Sequence, residues 1–444
     1  MHQEPTFRTA LGLGDLVLFN ISAVAGVRAL AAAAHSGPGS VSLWILAAVL
    51  FFIPSAMVVS RLSRTMPGQG GIYLWTRDSL GDWHGFLCAW CYWMNNLFYF
   101  PSLTLATVTM GLYIFPESFQ KLESNQGFAV TASLIIIWVF TLANVAGLNV
   151  GKWIGNLGGA CTYASGALLI VLAVLVFSRS GSSTPMDFLP RWDWDKLNFW
   201  PQIAFAFGGL ELGAILGGEI RDPSRTIRKA AWISGAAIAV FYVAGTIAIL
   251  VILTPSQVSV VNGLTQAGHA ASQQLRIGGI STLLALLVTV GLAGQLGTWM
   301  TGSSRLPMVL GADRWLPESM ARLHPVWKTP HVALLLQAAA CSAFLLAMQL
   351  GENLRTGYQL LVDMAVITYF IPFLYLFLAG WRAGMRLGAA CGLLVTILAI
   401  TLSFIPPDGV ASPWLFEAKL VGGTALLVYL ARAWFRHRAG VAIV

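Results

Sequence analysis

Ala204 to Ile227 reads AFAFGGLELGAILGGEIRDPSRTI. Two glycine pairs, Gly208-Gly209 and Gly217-Gly218, and two carboxylates, Glu211 and Glu219, interrupt a stretch otherwise apolar enough to cross a bilayer. Each glycine lowers helix stability by about 1 kcal/mol relative to alanine. An interrupted helix bares backbone N–H and C=O groups, and lipid offers them no partner. A ligand with both a carboxylate and an ammonium can take them. Half-helix N-termini attract the anion and exposed carbonyls accept from the cation. An α-amino acid carries both groups. A second such cluster is FNISAVAGVRAL, Phe19 to Leu30, where Asn20, Ser22, Ala23, Ala25 and Gly26 fall together. For any one of these glycines, close helix packing through small residues is the competing reading. Two polar-flanked breaks favour a ligand site.

The other intramembrane charges need partners. Arg28 costs about 2.5–3.5 kcal/mol at a helix centre, so it must face a wet cavity or a carboxylate. Asp363, within YQLLVDMAVITYF, is one candidate partner. A substrate carboxylate, held bidentately, is another. A static buried pair is the third reading. Glu211 follows Gly209 by two residues, where a carboxylate caps the free N–H groups of a second half-helix; proton sensing coupled to gating is the alternative. Glu219, Arg221, Asp222 and Arg225 read as an inner gate or as a solvated ion-pair network. Thr298 and Thr301 offer hydroxyls to a sodium ion or bond back to their own helix. Cys88-x-x-Cys91 reads as packing rather than redox or metal chemistry.

The elements that must position these groups are membrane helices. The chain has 444 residues, 57% hydrophobic and only 10% charged, against about 25% charged in soluble domains. Apolar runs long enough to span recur near 10–34, 41–64, 83–113, 127–147, 151–178, 198–220, 228–253, 277–312, 329–350, 357–379, 386–405 and 414–435. The expectation is an all-α polytopic membrane protein of twelve spans forming one integral domain over 1–444. The net charge of +8 would point to nucleic acid in a soluble protein. Here it follows the positive-inside rule. Of the 26 Lys and Arg, 18 fall on one side of this topology and 7 on the other, with Arg28 inside the first span. Both termini are thereby expected in the cytoplasm, in an inner membrane, with no cleavable signal. There is no Walker A sequence to hold ATP. No convergent His, Asp or Ser set marks an enzyme, and no cofactor or metal is expected. The interrupted spans are the first and sixth, five apart, as an inverted repeat of five helices would place them.

Three segments resemble a family. The exit of the sixth span, FAFGGLELGAILGGEIRDPSRTIRKA, is similar to F-x-G-x-E followed by E-x-x-N-P-x-R-x-I-P, with Asp222 for the usual Asn and Arg228 for the second Pro. PGQGGIYLWTRDSLGDWHGFLCAW, 67–90, resembles P-x-x-G-G-x-Y, and GLAGQLGTWMTGSSRLPMVLGADRWLP, 291–317, resembles the eighth span with its A-R-D-G-x-L-P ending. The pattern is that of the amino acid–polyamine–organocation superfamily of permeases. The resemblance implies a LeuT-like five-plus-five inverted repeat with the first and sixth helices discontinuous. Its repeats would cover about 10–178 and 198–379, with two extra helices at about 386–436. It implies alternating access around a midplane amino acid. The carboxylate would meet amides of Ser22, Ala23, Val24, Ala25 and Gly26, and the ammonium would meet carbonyls of Phe205, Ala206, Phe207, Gly208 and Gly209. Phe205 or Phe207 would be an aromatic lid. Two departures matter. AGVRAL puts Arg28 where a glycine usually sits, and Thr162 stands near the place of the lysine of many proton-coupled members. The function expected is secondary active amino acid transport, by exchange or by symport with a proton on a carboxylate. Arg28 leans the substrate towards acidic amino acids such as glutamate. A neutral amino acid exchanger is the alternative, and a non-transporting amino acid receptor the reading from another class.

Overall fold

The computed structural model describes residues 10–189, 199–260, 262–348, 354–405 and 412–441. Among them the architecture is helical, apart from one isolated bridge between Leu11 and Ile220. Eight helices are long and apolar enough to cross a membrane, and a ninth span results if one bent pair is counted as one. That pair is Leu13–Val24 and Val27–Ser36, bent by 41° at Ala25-Gly26. A second interruption separates Phe199–Ala206 from Leu210–Ile215. The chain is a multi-pass membrane protein. Helices also form where connections were expected: Ile72–Leu80, which buries Ile72, Tyr73, Trp75 and Thr76, and Gly263–Leu275. Both are short and half-apolar, so neither announces itself as a span.

Small residues bring the helices together. Leu148–Ser180 and Ile280–Ser303 cross at Gly158 and Gly294, where a Cβ on Gly158 would lie 2.6 Å from the Gly294 Cα. One residue on, a Cβ at Gly159 would lie 2.5 Å from the Leu18 carbonyl oxygen. The first broken helix is thus clamped at its N-terminal half by glycine-faced neighbours. Without a hydrophobic drive between helices in lipid, such van der Waals contact is the main source of association.

The two broken helices are joined at one end. The N–H groups of Ala10 and Leu11 donate to the Glu219 carbonyl at 3.0 and 3.1 Å, and the Arg221 N–H donates to the Leu11 carbonyl at 3.0 Å. This end is called the N-terminal face below. Gly70 N–H also donates to the Ile215 carbonyl at 3.0 Å, which ties in the turn preceding Ile72–Leu80.

Gly158→Leu is expected to destabilise the protein by at least about 1–3 kcal/mol, the usual penalty of overpacking. A thermal melt of the detergent-purified chain should show a clear drop in midpoint. An unchanged midpoint would contradict the crossing.

Candidate functional site

A cavity lies between the two interruptions. Its empty volume is about 840 Å³, of which about 80 Å³ is accessible to the centres of water molecules. Since one water needs roughly 10–15 Å³ on that measure, the space holds on the order of half a dozen waters, or one small zwitterion. It is lined from the first broken helix by Ala23, Val24, Gly26, Arg28, Ala29 and Ala32. The second contributes Gln202, Ile203, Phe205, Ala206 and Gly208. These residues run from the breaks away from the N-terminal face.

The breaks are held by side chains from intact helices. The Tyr242 hydroxyl, from Pro223–Ile252, accepts from the Gly26 N–H at 2.9 Å. Its proton is shared between the Val24 carbonyl at 2.5 Å and the Ala206 carbonyl at 2.9 Å. One hydroxyl therefore knits both interruptions. The Ala23 carbonyl accepts from Gln295 Nε2 at 3.1 Å and from Trp299 Nε1 at 2.9 Å. Ser22 accepts at its hydroxyl from Thr298 at 3.0 Å. These contacts replace the helical bonds lost at the bend. The backbone turns through Gly209 at φ 122°, a left-handed conformation that strains any residue with a Cβ.

Charge is distributed unevenly around the cavity. Val27–Ser36 begins at its wall with no side-chain cap and no acid in its first turn. Its leading N–H groups and dipole favour an anion. Arg28 stands beside them, donating to Ser102 Oγ at 3.2 Å with its guanidinium 5.2 Å from the Tyr99 ring centroid. Among the described lining residues Arg28 is the one formally charged side chain. Across the cavity, Phe199–Ala206 ends, and its last carbonyls carry the negative end of that dipole.

Below the cavity the protein is sealed in layers. Trp299 and Tyr369 form the floor, with ring centroids 5.6 Å apart. Under them Glu211 is 1% exposed. It accepts from the Gly209 N–H at 3.2 Å, from the Tyr92 hydroxyl at 2.8 Å and from the Tyr369 hydroxyl. Nearer the N-terminal face, Arg305 meets Glu219 bidentately, Nε–Oε1 at 2.9 Å and Nη2–Oε2 at 3.1 Å, with both side chains 3% exposed. Gln69 bridges the pair to the backbone: its Nε2 donates to Glu219 at 3.1 Å, and its Oε1 accepts from the Gly218 N–H at 2.8 Å. Glu219 is thus no part of a solvated network, while Arg221, Asp222 and Arg225 are exposed.

Of the residues singled out from the sequence, Ala23, Val24, Gly26, Arg28, Phe205, Ala206 and Gly208 line the cavity. Ser22, Ala25, Phe207 and Gly209 do not. Phe207 is buried against Trp44, Phe52 and Tyr242, whereas Phe205 faces Tyr99 and Tyr369 at centroid distances of 5.9 and 5.2 Å. Thr162 packs against Gly291, one turn past the contact with the first broken helix. Thr301 bonds to Asn144 Oδ1 at 2.5 Å and back to the Gly297 carbonyl at 2.8 Å. The Asp363 side chain lies outside the described residues. Tyr242, Gln295, Trp299, Tyr369 and Tyr92 escaped the sequence reading. Their one signal was a polar atom within an apolar span.

The amino acid permease family model matches residues 11–421. The chain belongs to this family. Curated relatives agree in length and kind. An uncharacterised transporter of Legionella pneumophila is 26% identical over 95% of this chain and 96% of its own. A probable agmatine/putrescine antiporter of Lactococcus lactis is 26% identical over 70% of this chain and 66% of its own. A serine/threonine exchanger of Bacillus subtilis is 24% identical over 90% of this chain and 88% of its own. The permease is thus an amino acid transporter by family, not an enzyme.

Tyr242→Phe removes the hydroxyl that serves three backbone groups. We expect a loss of about 1–3 kcal/mol, as for buried groups left unsatisfied, with the helical fold kept. Thermal unfolding alongside far-ultraviolet circular dichroism measures both. Wild-type stability in the variant would mean that the hydroxyl does not hold the breaks.

Proposed function

We propose that this permease is a secondary active amino acid transporter working by alternating access, in a LeuT-like five-plus-five arrangement of twelve spans. The repeats are about 10–178 and 198–379, with two further helices at about 386–436. The observation that carries the reading is the pairing of opposite half-helix ends across one cavity: the N-terminus of Val27–Ser36 with Arg28, and the C-terminus of Phe199–Ala206. An α-carboxylate fits the first and an α-ammonium the second. Ala23, Val24, Gly26, Phe205, Ala206 and Gly208 contribute the backbone around the substrate, and Phe205 is the lid. Ser22, Ala25, Phe207 and Gly209 shape the breaks from behind.

The charge balance favours an acidic amino acid such as glutamate. The helix terminus takes one carboxylate and Arg28 a second, bidentately. No carboxylate among the described lining residues awaits a second ammonium, so a diamine fits less well. A neutral amino acid is the second reading. It is favoured by the contacts that Arg28 already has to Ser102 and Tyr99, and in it Arg28 and Asp363 close the far side as a gate. Exchange, or a proton carried by a carboxylate such as Glu211, fits a coupling site with Thr162 in place of a lysine. The excess of Lys and Arg puts the N-terminal face and both termini in the cytoplasm of an inner-membrane protein. The sealed layers then make Glu219–Arg305 the cytoplasmic latch.

Counterflow in proteoliposomes decides the substrate. Vesicles loaded with one unlabelled amino acid at a time are assayed for entry of labelled glutamate, wild type beside Arg28→Ala. Saturable glutamate counterflow that falls at least tenfold in the variant is expected. If neutral amino acids exchange with their own labelled forms and glutamate does not, the neutral reading holds. No counterflow with any amino acid removes the transport proposal.

Glu219→Gln weakens the latch. Breaking one side of a buried ion pair costs about 3–5 kcal/mol, here levied on the closed state. A cysteine introduced by Leu216→Cys should react faster with an impermeant maleimide from the N-terminal face when Glu219→Gln is added. Equal rates would show that the pair is only structural.

A further inference from the structure

The N-terminal face carries a second concavity, which shares no lining residue with the first. It has an empty volume of about 800 Å³ and lies between the C-terminal end of Gly39–Thr65, the start of Pro223–Ile252 and the turn at Ala383–Met385. Three arginines line it: Arg61, Arg64 and Arg228. All three are exposed, and no hydrogen bond or ion pair joins their side chains to another described residue. Like charges gathered in one groove repel one another. At the back of the groove Ser60 is 7% exposed, and its hydroxyl has no partner. Buried hydroxyls ordinarily find one. An anion with several acceptor oxygens would answer both irregularities.

The membrane side of the groove is apolar. Met57 and Trp232 line it and are 42% and 46% exposed. Both lie one turn deeper along their helices than the arginines, so the charges stand at the level of the helix ends and the apolar surface below them. Tryptophan in that position marks the boundary between headgroups and acyl chains. A free phosphate would use the arginines and leave this apolar wall unexplained. A phospholipid uses both.

We propose that Arg61, Arg64, Arg228 and the Ser60 hydroxyl form a binding site for the phosphate headgroup of an anionic phospholipid, with its acyl chains along Met57 and Trp232. Basic pockets between spans recognise such headgroups. Bound there, the lipid bridges Gly39–Thr65 and Pro223–Ile252 to the turn before Arg386–Leu402.

Native mass spectrometry of the full chain, purified in neutral detergent, tests this with three probes: phosphatidylglycerol, phosphatidylcholine and inorganic phosphate. The expected result is saturable retention of one phosphatidylglycerol and weak retention of phosphatidylcholine. Each arginine near a membrane surface is worth about a fivefold change in affinity, so Arg61→Gln/Arg64→Gln/Arg228→Gln should bind phosphatidylglycerol about a hundredfold less tightly. Ser60→Ala should weaken it severalfold with the charge unchanged. Should the triple variant not fold, Arg64→Gln and Arg228→Gln are read singly, each about fivefold weaker. Equal binding of phosphatidylglycerol by wild type and variants overturns the site. Equal retention of phosphatidylcholine overturns the headgroup recognition. Displacement of the lipid by millimolar inorganic phosphate, which then binds in its place, overturns the lipid assignment.

Discussion

Everything in this permease depends on how backbone groups are satisfied where a helix stops inside a bilayer. Lipid supplies no hydrogen bonds, so a break persists only where the protein, water or a ligand supplies them. Here the protein supplies a subset. Tyr242 holds Gly26, Val24 and Ala206; Gln295 and Trp299 hold Ala23; Glu211 holds Gly209. The leading N–H groups of Val27–Ser36 receive no side-chain cap. The residual polarity therefore concentrates on the cavity side. A break fully satisfied by the protein would be a scaffold; one left incomplete at a cavity is a binding surface.

The same kind of contact closes one side of the cavity. Towards the N-terminal face the cavity is closed by the Trp299–Tyr369 floor, the tyrosine pair on Glu211, and the Glu219–Arg305 pair. A buried ion pair is a poor source of net stability, because desolvation offsets most of its attraction. That makes it a good reversible contact. Separated in water, each partner regains its hydration, so parting such a pair costs little net free energy. Gln69 bonds both to Glu219 and to the Gly218 N–H, and Leu11 pairs with Ile220 beside it, so the carboxylate is fixed to the backbone on both sides.

The class of fold was legible in the sequence because bilayer thickness dictates length and composition. Both breaks were legible because small and polar residues cluster within two apolar runs, where a single glycine would read as helix packing. Arg28, Phe205, Ala23, Val24 and Gly26 were found by that route, and they do line the cavity. The partners were not legible. Tyr242 and Tyr369 sit in helices whose apolar pattern is continuous, and nothing local says that a hydroxyl 36 residues from Ala206 returns to its carbonyl. Which of the two lid candidates lines the cavity was not legible for a related reason: Phe205 does and Phe207 does not. Phenylalanines two residues apart point to different sides of a helix end, and only the neighbours Trp44 and Phe52 decide which side is core. Glu219 was read beside the exposed Arg221 and Arg225, whereas its partner Arg305 comes from a distant segment.

The proposed reading divides labour between backbone and wall, which accommodates relatives at about a quarter identity that are named for different solutes. In the proposed reading, half-helix ends meet an ammonium and, where the solute has one, a carboxylate through main-chain groups, which every sequence possesses. Their geometry needs only small residues at the break and a few props such as Tyr242. In that reading the rest of the solute meets side chains on the wall, and here Arg28, Ser102, Gln202 and the aromatic set of Tyr99, Phe205 and Trp299 line it. A wall substitution alters the third group accepted without disturbing the break. An antiporter named for agmatine and putrescine and an exchanger named for serine and threonine can therefore share most of their length with this chain. The positive charge of Arg28 then marks where this wall differs in chemistry from one suited to a diamine.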